Sequence, residues 1–234
     1  MTGLPHRPPI AHEHGDVSGG WLRASVFGAM DGLVTNIALI AGVGGGGVSP
    51  NAIVLTGASG LVAGAISMGL GEYTSVRTQN EQIDYEVAKE RVELRRNPEA
   101  EAAELAEAWI ERGLPADLAY EVARRINDNE EEAVRVHAQE ELGLDPTEKP
   151  SPLVAAASSF VCYSIGALIP LLPYILGATV LWPALTAGGV GLFAAGALVS
   201  RFTVRPWWYN GLRQLAFGAL AAGATYLIGW LIGG

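Results

Sequence analysis

Residues 24–44 read ASVFGAMDGLVTNIALIAGVG, apolar and glycine-rich, long enough for a membrane helix, and carrying a single carboxylate, Asp31, about a third of the way along. In hydrocarbon such a group is costly unless it faces a partner, an ion or water. The next apolar stretch, Ala52 to Tyr73, holds Met68 and Glu72, four residues apart and so on one helix face. Two carboxylates and a thioether on successive helices offer a path to a soft or borderline divalent cation. Met30, beside Asp31, is a further candidate for that path. The plainer alternative is that Asp31 caps a break at Gly32 and Glu72 sits at the headgroup boundary.

Outward from this stretch, the whole chain has the composition of an integral membrane protein. Half of its 234 residues are hydrophobic, and the net charge is -9. That charge is not spread. Of 24 acidic residues, all but Glu13, Asp16, Asp31 and Glu72 lie between Glu81 and Glu148. An acidic chain of this kind implies no nucleic-acid partner. The single cysteine, Cys162, excludes an intrachain disulfide. Residues 1–20 contain His6, His12 and His14 among prolines and read as a flexible tail without a removable signal peptide; His12-Glu13-His14 can hand a metal onward or be incidental.

The first span is expected from about Arg23 to Val43, ending in Gly44 to Gly47. Ser49-Pro50-Asn51 reads as a tight turn with Asn51 capping the second helix. Gly28 with Gly32, and Gly60 with Gly64, have the spacing that lets helix backbones approach closely in lipid. An odd number of spans makes a twofold dimer a natural way to enclose a path. Ser151 to Leu176, Val180 to Val199 and Trp207 to Ile232 supply three more spans, with a kink or early end expected at Pro170 and Pro173. Arg201, Arg205 and Arg213 cluster between the fourth and fifth spans. The positive-inside rule then puts the N-terminus and residues 77–148 in the cytoplasm and the C-terminus outside, in the cell membrane if the host is bacterial. The expected fold is all-α: five transmembrane helices, residues 21–76 and 149–234, with a cytoplasmic three-helix domain, 77–148, inserted between them.

Nothing between Glu72 and Arg96 stops the second helix, so it continues as an arm reaching more than about 30 Å beyond the headgroups. Asn97-Pro98 starts a short helix closed by Gly113 and Pro115, and a third helix is expected from Ala116 to Leu142. Glu86, Glu90 and Glu93 follow one face of the arm, and Glu101, Glu104 and Glu107 recur every three residues on the short helix. Folding these faces together compounds like-charge repulsion, which a bound divalent cation removes. The alternative is an acidic surface offset by Lys89, Arg91, Arg95 and Arg96.

Three stretches resemble the vacuolar iron transporter family: Val26-Phe27-Gly28-Ala29-Met30-Asp31-Gly32-Leu33, Ser67-Met68-Gly69-Leu70-Gly71-Glu72-Tyr73, and Ile169-Pro170-Leu171-Leu172-Pro173-Tyr174. The resemblance implies a five-span homodimer that exports divalent iron or related metals in exchange for protons, with the path at the dimer interface. Asp31 and Met68 then line the path and Glu72 sits at its cytoplasmic mouth. It also implies a metal-binding module with ligands at Glu90, Glu93, Glu101, Glu104 and Glu141; Glu140 is a further candidate. Where iron-selective plant-type members carry two methionines before the last glutamate, this chain has His137 and Ala138. His137 is either a nitrogen ligand in place of a methionine or an ordinary surface residue.

The expected function is thus a transporter of Fe2+ or Mn2+, with Co2+ or Zn2+ as further cargo, needing lipid and protons and no permanently bound cofactor. It is not an enzyme: a di-iron oxidase wants Glu-x-x-His pairs, which residues 77–148 lack. A non-transporting scaffold whose acidic domain binds a partner or senses metal is the competing reading, and it requires Asp31 to be dispensable.

Overall fold

The computed structural model describes residues 20–141, 143 and 145–233. His6, His12 and His14, and with them the reading of the N-terminal tail, lie outside the described residues. Eight α-helices follow in order: α1 (Trp21–Gly45), α2 (Pro50–Arg96), α3 (Pro98–Glu111), α4 (Ala116–Asn127), α5 (Glu130–Glu141), α6 (Pro152–Ile175), α7 (Trp182–Val199) and α8 (Trp207–Gly233). The described residues contain no strand. Five helices, α1, α2, α6, α7 and α8, are long and apolar enough to cross a membrane, and the protein is an all-α integral membrane protein.

The spans alternate between two ends. At one, Arg23 pairs with Glu72, and a cavity is lined by Trp21 and Arg23 together with Val199 and Phe202. At the other, Gly42 abuts Thr225 and Gly44 abuts Leu181. α1 lies at the centre, against α6 on one side and α8 on the other. The glycine spacing explains the closeness. A Cβ on Gly28 would stand 2.6 Å from the Ser159 carbonyl oxygen, and one on Gly32 would collide with the Tyr163 carbonyl, so only glycine admits α6 at this distance. On α2, the Tyr163 hydroxyl fills the space a side chain at Gly64 would take. The small-residue pairs therefore join helices within one chain.

Several local signals resolve differently from the sequence reading. Ser49, not Asn51, caps α2: its hydroxyl accepts from the Ala52 amide, with Pro50 in the first helical turn. α6 runs through Pro170 and Pro173 to Ile175, so neither proline ends it early. α2 is continuous for 47 residues, about 70 Å, and its outer half forms the arm.

The expected third helix, 116–142, is instead two. Asn129 breaks it, its Oδ1 accepting from the amides of Glu131 and Glu132 at 3.2 and 3.3 Å, and Glu130, Glu131 and Glu132 place three acids in the first turn of α5. The polar module is thus the arm plus three short helices. Its core is a seam of alanines, Ala102, Ala106, Ala119 and Ala123 around Leu105, which draws α3 and α4 close. Leu94, Ala133 and Val134 seat α5 on the arm, and Arg95 grips Glu130 at 2.6 Å across the same seam.

Candidate metal site and membrane path

Three helices converge where the arm meets α3 and α5. Glu90 of α2, Glu101 of α3, and His137 and Glu141 of α5 each offer a ligand atom, all within 4.8 Å of one another. His137 is 1 % exposed, so it is no surface residue, and Glu90 and Glu101 are each 8 % exposed. From His137 Nδ1 the carboxylate oxygens lie at 3.2 Å for Glu90, 3.3 Å for Glu141 and 3.9 Å for Glu101. Ligand atoms about 2.1 Å from one ion stand about 3.0 Å apart in an octahedron and about 3.4 Å apart in a tetrahedron, so the two shorter separations fit edges of a coordination sphere. Glu90 Oε1 is buried without a hydrogen-bond partner despite its closeness to His137. A buried carboxylate oxygen left in this state is a strong acceptor for a cation.

The electrostatics agree. Burial, then repulsion from Glu141, Glu101, Glu93 and Glu104, pushes the Glu90 carboxyl up to about 7. Burial and then Glu104 raise Glu101, with His137 acting in the opposite direction. Without metal, Glu90 therefore favours a proton in the folded protein. The stability this brings is full below about pH 4.5, the ordinary carboxyl value, and is lost as pH rises through about 7. Detergent-solubilised protein in chelator should melt at a higher temperature at pH 5 than at pH 8; Glu90→Gln should flatten this part of the pH profile, worth about 2 to 3 kcal/mol, and stabilise the metal-free protein at pH 8. Parallel wild-type and mutant profiles would show that Glu90 is not under this pressure.

The other acidic candidates divide. Glu93 and Glu104 flank the cluster and act on Glu90 through charge. Glu107 is exposed, and Glu86 sits 3.9 Å from Lys89. Glu140 is engaged elsewhere: it accepts from Trp109 Nε1 at 3.1 Å and pairs with Arg112, and these contacts, the Trp109 bond foremost, hold its carboxyl below the usual range. Asn127 was not legible as a site residue, yet its Oδ1 lies 3.4 Å from His137 Nε2.

In the membrane, Asp31 and Met30 line a cleft of about 540 Å³ between α1 and α8, with Arg23, Phe27, Gln214 and Phe217 on its walls. Thr35, one turn on, donates to Asp31 at 3.4 Å, and among the described residues Asp31 has no basic partner within ion-pair distance. α1 is unbroken past Gly32, so Asp31 does not cap a break. Met68 packs against Ala65, Tyr163 and Ala167 at the α2–α6 contact. Glu72 is 11 % exposed at its side chain and is held by Arg23. A cation reaching Glu72 has to displace a guanidinium.

The VIT family model matches residues 22–230. The chain is 33 % identical over 225 residues to vacuolar iron transporter 1 of Oryza sativa subsp. japonica, covering 94 % of this chain and 88 % of that protein. It is 36 % identical over 226 residues to a vacuolar iron transporter of Acanthamoeba castellanii, covering 91 % and 78 %. With vacuolar iron transporter 1 of Arabidopsis thaliana it shares 30 % identity over 233 residues, 96 % and 92 % of the two chains. Similarity of this extent takes in the five membrane helices and the helical module between them, and this chain therefore belongs to the VIT family, the family of the vacuolar iron transporters.

Proposed function

We propose that this protein exports a divalent transition metal, Fe2+ or Mn2+ first and Co2+ or Zn2+ as further cargo, from the cytoplasm in exchange for protons. The observation that carries the reading is the cluster of Glu90, Glu101, His137 and Glu141, the first three buried, gathered against an arm continuous with a membrane span. The module collects metal, with Glu93 and Glu104 adding negative potential. Cargo then passes Glu72 and moves along Asp31, Met30 and Met68. The odd number of spans suits a second copy, related by a twofold axis, that completes the path, making the working unit a homodimer. The arginine-bearing loop near Arg201 and the module are cytoplasmic. The relatives' names, which specify iron, support the cargo class.

Protons compete with metal for the same carboxylates, which couples the opposing fluxes without a separate proton site. Purified protein in proteoliposomes should take up Fe2+, Mn2+ or Co2+ several-fold faster with an acidic lumen than with no gradient, and should not take up Ca2+. Metal flux indifferent to the imposed gradient would remove the proton coupling. An absence of flux for every metal would favour the scaffold reading.

A further inference from the structure

Asn127, the last residue of α4, touches two groups through its side chain. Its Nδ2 donates to the Pro98 carbonyl at 3.3 Å, and its Oδ1 lies 3.4 Å from His137 Nε2. The Pro98 oxygen can only accept, so the amide end facing it is the NH2 and the end facing His137 is the carbonyl oxygen. That oxygen also only accepts, so His137 Nε2 carries a hydrogen. In a neutral imidazole the other nitrogen, Nδ1, is then a bare lone pair. Nδ1 is the atom that meets Glu90 at 3.2 Å, Glu141 at 3.3 Å and Glu101 at 3.9 Å. Burial of the ring at 1 % exposure removes water as a competing partner. A bare Nδ1 facing three carboxylates is a coordination set for a cation.

We infer that Asn127 is a positioning residue, holding His137 as the Nε2–H tautomer so that Nδ1 is the single nitrogen ligand beside three carboxylates for divalent transition-metal cargo. This rests on the metal-binding role proposed for the cluster. The interrupted helix makes it possible. In one continuous helix, residues 127 and 137 would stand about 15 Å apart along the axis; the break after Asn127 folds α5 back so that the two side chains meet.

The test uses the full-length protein in detergent with 15N-labelled histidine, at about pH 8.5. Long-range nitrogen–proton correlations read the ring, assigned by loss of its signals in His137→Gln. Without metal, Nε2 should carry the proton and Nδ1 none, and added Zn2+ should shift Nδ1 while Nε2 keeps its hydrogen. Asn127→Ala should mix the two tautomers and weaken zinc affinity, followed on the same signals, by about 10- to 100-fold. Asn127→Asp keeps the acceptor and should keep the Nε2–H form. A metal-free wild-type ring protonated at Nδ1, or at both nitrogens, would overturn the inference, as would an unchanged tautomer in Asn127→Ala. An Nε2–H ring that saturating Zn2+ leaves unshifted would overturn the metal reading of the cluster and leave the role of Asn127 in orienting the ring intact.

Discussion

Asp31→Ala should abolish metal uptake into proteoliposomes, a loss of at least about 100-fold, while expression, melting temperature and oligomeric state stay at or above wild-type values. A lone aspartate within a membrane helix costs up to about 3 kcal/mol to insert. A transporter that retains it recovers at least that much when cargo binds, and 3 kcal/mol corresponds to about two orders of magnitude in binding. Among the described residues Asp31 has only Thr35 as a hydrogen-bond donor and no ion-pair partner, so the alanine leaves no opposite charge stranded. Stability and transport should therefore move apart. Uptake at the parental rate in the purified mutant would mean the membrane path runs elsewhere.

The second large effect is selective. His137→Ala should cost about 10- to 100-fold in affinity for Co2+ and Zn2+ and less than about threefold for Ca2+ and Mg2+, because imidazole suits the later transition metals whereas carboxylates serve all four. Mn2+, hard but able to take a nitrogen, should fall between. His137→Met would place at this position the residue type of the plant-type relatives and should favour softer ions. Calorimetry on the full chain in an Asp31→Ala background keeps the membrane path from contributing heat. Equal losses for every metal in His137→Ala would show that the ring supports packing alone, a real alternative for a side chain buried beside Val134 and Ala138.

The spans and the arm were legible because they are written locally: length, apolarity and the lack of glycine or proline between residues 72 and 96 suffice. The identities of Glu90, Glu101 and Glu141 were legible from resemblance and spacing. Their convergence was not, because it depends on how an alanine seam packs α3 on α4 and how Arg95 draws α5 to the arm. The break at Asn129 was written in the sequence as an Asx cap followed by three glutamates, but the same run also reads as ordinary polar helix. Glu140 and Glu141 are adjacent and chemically alike. Only tertiary structure separates them, sending Glu140 to Trp109 and Arg112 and Glu141 to His137. The pairing of Glu72 with Arg23, 49 residues away in sequence, had no local signature either.

The uninterrupted α2 has a mechanical meaning. Met68 and Glu90 lie on one helix, about 33 Å apart along its axis; Gly69 and Gly71 stand between Met68 and Glu72, and no glycine or proline follows as far as Arg96. A rod pivoting near Glu72 works as a lever whose long side ends at the metal cluster and whose short side ends at the thioether. A tilt of about 5° that carries Glu90 through about 2 Å moves Met68 by only about 0.5 Å, so the module trades displacement for force.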